Sequence, residues 1–224
     1  MQLIDDADAV RIEPEAPADR AVIWLHGLGA DGHDFVPVAQ MLRFPGRERT
    51  RFIFPHAPLR PVTINGGQPL RAWYDIFGLV EGSPQDEAGI RESARVADDY
   101  LQRQMAAGID SRRIVLAGFS QGGAIALHAG LRFAHPLAGL IGLSTYLPLH
   151  DRALDEAAEA NRQVRVLLAH GQLDPIVPFA WGEGTRDELQ RVGCAVRWLA
   201  YPMQHEVCAE EVAAIDAWLG ERLA

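Results

Sequence analysis

Short apolar runs alternate, almost without a break, with longer segments whose apolar residues recur at helical spacing. No other feature constrains the chain as strongly, because parallel strands are joined only through a crossover long enough to hold a helix. Repeated crossovers give a mostly parallel central sheet flanked by helices on both faces, an α/β class of fold. The strand candidates are Ala21 to His26, Arg51 to Phe54, Arg113 to Phe119, Leu137 to Leu143, Val164 to His170 and Val196 to Tyr201. Helices are expected at Phe35 to Leu42, Glu87 to Ala107, Gln121 to Arg132, Phe179 to Val192 and Ala209 to Leu223. In the second helix, Ile90, Ala94, Ala97, Leu101 and Met105 form one apolar stripe, and Gly108 supplies the stop.

Residues 55 to 84 interrupt the rhythm with Pro55, Pro58, Pro61, Pro69 and Pro84, several glycines and the aromatic residues Trp73, Tyr74 and Phe77. A long, structured, lid-like loop is expected there, not another strand–helix unit, and loops of that length inside a domain often serve function. At 224 residues the chain reads as a single domain spanning 1–224. A chain of this size buries roughly 70% of its unfolded surface, enough to hold distant segments in register.

The pattern Gly118-Phe119-Ser120-Gln121-Gly122 follows the apolar run Ile114 to Ala117 and precedes an alanine- and leucine-rich helical segment. Strand, sharp turn and helix are what a GxSxG nucleophile elbow requires, with glycines where side chains would collide. A serine hydroxyl is a poor nucleophile until a base takes its proton, so Ser120 calls for a histidine oriented by a carboxylate. The usual chain order on such a fold is serine, acid, histidine. Asp174 lies directly after the strand ending at His170, and His205 is the histidine that follows Asp174. Asp151, Asp155, Asp187 and Glu188 read as solvated positions, the commoner fate of a carboxylate.

An acyl-transfer site also needs donors for the developing oxyanion. The backbone N–H of Gln121, next after the serine, is one candidate, and that of Leu28 in the turn His26-Gly27-Leu28-Gly29 is the second. His26 reads as a structural hydrogen-bonding residue rather than a base. No spacing suggests a metal site.

The linked motifs resemble the phospholipase/carboxylesterase family of α/β-hydrolases, which includes bacterial carboxylesterases and acyl-protein thioesterases. The similarity runs through His26 to Phe35, Pro55 to Pro58, Arg60 to Gly67, Arg71 to Ile76, Gly118 to Gly123 and His170 to Pro178. It implies an α/β-hydrolase fold, the triad Ser120, Asp174 and His205, oxyanion donors at Leu28 and Gln121, and no cofactor. It further implies an acyl-binding groove walled by Trp73, Ile76, Phe77 and Leu79, with Val177 as a further substrate contact. For Trp73 the alternative, a side chain that packs the loop onto the domain, stays open.

The formal charge is −9 and all 21 basic residues are arginine, with no basic stripe, so the footprint of a nucleic-acid binder is missing. No apolar stretch approaches a membrane span, no basic-apolar leader opens the chain, and Cys194 and Cys208 are too few for a disulfide framework. A cytoplasmic enzyme is therefore expected, acting on small carboxylic esters of short to medium acyl chain. Thioesterase or lysophospholipase action on longer chains is the alternative; a non-catalytic binding module is a remote one. Apolar residues of the insert or of Leu143 to Leu149 are candidates for a homodimer contact.

Overall fold

The computed structural model describes residues 1–80 and 82–224; residue 81, inside the proline-rich insert, lies outside the described residues. An eight-stranded sheet runs in the order β1 (Gln2–Asp5), β2 (Ala9–Glu13), β4 (Thr50–Pro55), β3 (Arg20–Leu25), β7 (Ile114–Phe119), β8 (Gly139–Leu143), β9 (Arg165–Gly171), β10 (Ala195–Tyr201). From β4 to β10 neighbouring strands are parallel, whereas β1 and β2 form an antiparallel hairpin added at the β4 edge. Strand β1 is four residues long and mostly exposed, whereas β2 buries Val10 and Ile12; neither is among the strands expected from the sequence pattern.

Alternation along the strands divides the interior in two. On β3, Ala21, Ile23 and Leu25 face a core built with Ile90 and Leu101 of α2 (Glu87–Ala106), Ile125 and Leu127 of α3 (Gln121–Arg132) and Leu189 of α5 (Phe179–Val192). The four-residue helix α4 (Ala153–Glu156) lends Ala153 to that side. On the other face Val22 and Trp24 meet Val36 and Ala39 of α1 (Val36–Met41) and Ile215, Trp218 and Leu219 of α6 (Ala209–Leu223). Strands apolar on both faces follow from this double cover. Helix α2 starts where the Asp86 carboxylate accepts from the N–H of Gly89 at 3.0 Å, and Gly108 takes the left-handed turn just past its end.

The insert contains a small antiparallel ribbon, β5 (Leu59–Val62) with β6 (Gln68–Arg71), in which Pro61 faces Pro69. Proline lacks the N–H a central strand must donate, but a two-stranded ribbon consists only of edges. Asp75 anchors the ribbon by accepting from the Thr63 N–H at 2.7 Å and from the Thr63 hydroxyl at 2.6 Å. Because β3, β7, β9 and β10 are parallel, the loops after them emerge at one sheet edge.

Candidate active site

Ser120 stands between β7 and α3 with φ 51° and ψ −121°, a backbone conformation that costs a non-glycine residue about 1–3 kcal/mol. Several bonds hold it: its N–H donates to Leu143 O at 2.9 Å, and its carbonyl accepts from Ala124 N at 3.0 Å and from the Thr145 hydroxyl at 2.7 Å. The flanking glycines are steric necessities. A Cβ at Gly118 would stand 2.3 Å from Gly122 O, and one at Gly122 would stand 2.3 Å from Leu25 O, contacts that only backbone displacement could relieve. The pattern G-x-S-x-G therefore records how closely α3 approaches β7 and β3.

The structure brings Ser120, Asp174 and His205 together from the ends of β7, β9 and β10. His205 Nε2 lies 2.9 Å from Ser120 Oγ, and His205 Nδ1 lies 2.7 Å from Asp174 Oδ2. A carboxylate only accepts, so Nδ1 carries the proton and Nε2 is left to accept from the serine hydroxyl. The Asp174 side chain has no solvent exposure, and its desolvation is offset by donors: Ile176 N and Val177 N reach Oδ1 at 2.8 and 2.9 Å. His170 Nε2 donates to Val177 O at 3.0 Å, which braces the same turn. Phe119 lies against the His205 ring with centroids 4.8 Å apart. The arrangement can take a proton from a hydroxyl and hold the resulting imidazolium.

Gln121 is the first residue of α3, so its N–H has no carbonyl within the helix to meet. Leu28 sits in the turn after β3, alongside the elbow, because β3 pairs with β7 and Leu25 stands opposite Gly118. His26 in that turn is buried; Nδ1–H donates to Gly27 O at 2.7 Å and Nε2 accepts from Ala57 N at 3.0 Å. Burial drives its pKa down to about 4, so it is neutral at physiological pH.

A cleft of about 610 Å³ opens between the insert, the segment after β8 and one face of α5. Ile76, Phe77, Tyr146, Leu147 and Trp181 give it apolar walls, while Glu188 and Arg191, paired with each other along α5, add charge to its lining. Ser120 and His205 do not line it, but Tyr74, whose carbonyl accepts from the Gln121 amide at 2.7 Å, does. Of the five residues expected as substrate contacts, Ile76 and Phe77 lie on the cleft, and three do not. Trp73 is fully buried, with its indole N–H donating to His26 O at 2.9 Å, which makes it a strut between insert and turn. Leu79 is partly buried against the core, and Val177 is buried with its N–H on Asp174. An apolar residue looks the same in sequence whether it lines a groove or packs beneath one.

Sequence reasoning did not pick out Thr145, His170 or the side chain of Gln121 as parts of the site. His170 carried one usable signal, its position four residues before Asp174 in the same motif. Among the described residues no group of three or more His, Cys, Asp or Glu side chains is placed to hold a metal ion. No helix among them is long and apolar enough to cross a membrane.

A model of the phospholipase/carboxylesterase family matches residues 7–222. Acyl-protein thioesterase 1 of Neurospora crassa is 42% identical over 212 residues, covering 90% of this chain and 86% of that protein. Among solved structures, Zea mays acyl-protein thioesterase 2 superposes with a TM-score of 0.86 at 30% identity, covering 96% of this chain and 99% of that one. Arabidopsis thaliana SOBER1 gives a TM-score of 0.87 at 28% identity over 92% and 99% of the two chains. The fold is that of the α/β-hydrolases. With sequence matched almost end to end and the same architecture throughout, the chain belongs to the phospholipase/carboxylesterase family and is a serine hydrolase.

Proposed function

We propose that the protein hydrolyses acyl thioesters, with Ser120 as nucleophile. The observation that carries this reading is the hydrogen-bonded relay from Asp174 through His205 to Ser120. As Ser120 Oγ attacks the thioester carbonyl, His205 Nε2 takes the hydroxyl proton and Asp174 stabilises the imidazolium. The N–H groups of Leu28 and Gln121 receive the oxyanion. Collapse breaks the C–S bond, His205 returns the proton to the departing sulfur, and water, activated by the same imidazole, releases the acid from Ser120. No cofactor takes part.

Short and medium carboxylic esters are the substrates the sequence suggests most directly. Relatives named acyl-protein thioesterase, 36–42% identical along nearly the whole chain, favour the longer-chain thioester alternative. The cleft walled by Ile76, Phe77, Tyr146, Leu147 and Trp181 suits an acyl chain, with each methylene it takes in adding about 0.8 kcal/mol, roughly four-fold in kcat/KM. Matched esters and thioesters from two carbons upward test the reading. Rates that climb with chain length, thioester above ester, are expected. A flat series, or ester preference at every length, returns the assignment to short-chain esterase. Loss of turnover by several orders of magnitude in Ser120→Ala is the control for the nucleophile.

A further inference from the structure

Gln121 contributes more to this structure than a backbone N–H. Its side chain is buried, and both ends of the carboxamide are used: Oε1 accepts from Trp73 N at 2.8 Å, and Nε2 donates to Tyr74 O at 2.7 Å. The amide thus binds the insert backbone at residues 73 and 74 as a neighbouring strand would. That stretch of insert is in turn bonded to the turn carrying Leu28. Trp73 Nε1 donates to His26 O at 2.9 Å, and Gly29 N donates to Arg71 O at 2.9 Å. Arg71 Nη1 donates to Ala57 O at 2.9 Å, and Ala57 N donates to the His26 ring at 3.0 Å. Ser93 of α2 bonds the Trp73 carbonyl from behind. The result is a closed circuit from the residue after the nucleophile, through the insert, to the second oxyanion loop.

We infer that the Gln121 carboxamide is a positioning residue that sets the separation of the two oxyanion N–H groups, those of Leu28 and Gln121, by clamping the insert between them. The inference rests on Ser120 being the acyl-transfer nucleophile. The physical reason is that the two N–H groups come from loops after different strands, β3 and β7. Strand pairing stops at Leu25 and Gly118, so register beyond the sheet has to be supplied by side chains and the insert. Oxyanion donors act through sub-ångström placement, and an error in one of them is felt in the transition state more than in substrate binding. Glutamine is suited to the task because its ends are a donor and an acceptor, matching a carbonyl and an N–H. The aromatic Tyr74 also lines the cleft, so occupancy of the cleft and geometry of the oxyanion site share one piece of backbone.

The test uses the full chain, with active sites counted by fluorophosphonate labelling, and p-nitrophenyl and thioester substrates. Gln121→Met keeps the length but neither hydrogen bond, and is expected to lower kcat roughly 10- to 100-fold, short of the about 10²–10³ seen when an oxyanion donor is lost, with KM within about three-fold. Gln121→Glu supplies a conservative rescue. Protonated, it accepts from Trp73 N and donates to Tyr74 O as the amide does; ionised, it repels the Tyr74 carbonyl. Its kcat relative to wild type should therefore rise as pH falls from 8 to 6, a trend a merely structural defect does not produce. If Gln121→Met does not fold, Trp73→Phe, which removes the indole link to His26 O together with part of a buried ring, should lower kcat several-fold with KM unchanged. A kcat within two-fold of wild type in Gln121→Met or, failing that, in Trp73→Phe overturns the inference, as does a pH-independent Gln121→Glu ratio. Ser120→Ala in the same assay separates the two layers: if it stays active the nucleophile is wrong, whereas if it is inactive and the clamp variants are normal, only the clamp is wrong.

Discussion

The turn after β3 and the loop after β10 each present a histidine at the same sheet edge, and each histidine has both ring nitrogens bonded. Their partners make them opposites. His26 donates to one backbone carbonyl and accepts from one backbone N–H, groups that neither titrate nor leave, so the ring is locked in one neutral tautomer. His205 donates to a carboxylate and faces a hydroxyl, so a proton arriving at Nε2 is stabilised by Asp174. A ring held between backbone groups is a brace, and a ring held between an acid and an alcohol has the partners that a proton shuttle requires.

The sharpest way to break the comparison is to remove each ring. His205→Ala should lower kcat by about 10⁶-fold, the scale on which triad members fail, with the fold intact by circular dichroism. His26→Gln should lower kcat by less than about 10²-fold; a loss as large as that of His205→Ala would show that His26 shares the proton chemistry. Asp174→Asn comes next, at roughly 10⁴-fold in kcat, because an amide can pair with the wrong tautomer of His205 while leaving the geometry in place. Retained activity there would show that the imidazolium needs no carboxylate.

The brace should register in stability instead. His26→Gln leaves Ala57 N–H or Gly27 O short of a partner, and urea melts at pH 7.5 should show a loss of about 1–3 kcal/mol. The smallest effect lies in its pH dependence. With the folded pKa near 4 and the ordinary value 6.5, the unfolded chain binds the proton more readily between those limits. Stability supplied by neutral His26 is thus fully present above pH 6.5 and is lost as pH falls toward 4, by at most about 3 kcal/mol. The gap between wild type and His26→Gln should narrow over that interval, and a gap independent of pH would mean that burial does not hold the ring neutral.

Periodicity made the helices and the parallel strands legible, since apolar strand runs and the stripe Ile90, Ala97, Leu101 both reflect burial against the sheet. Strand β1 escaped because an exposed edge strand has little reason to be apolar, and β5–β6 because its prolines argue against a strand. Ser120, Asp174 and His205 could be chosen by chain order and strand context. Leu79 and Val177, read as substrate contacts, do not line the cleft, and Trp73, read as either groove wall or packing, is fully buried, since hydrophobicity does not encode which way a loop turns its side chains.

The sequence by itself determined what must be near what. Glycines at 118 and 122 imply a helix pressed against strands, and a serine between them implies a base and an acid placed later in the chain. Only the tertiary structure decided distance and partner: that His205 reaches Ser120 at 2.9 Å, that His26 spends both nitrogens on backbone, and that the Gln121 amide grips the insert. Local pattern reports burial, which depends on a residue's own chemistry. Hydrogen-bond identity depends on atoms brought from elsewhere in the chain, and those meet only when the sheet has closed around them.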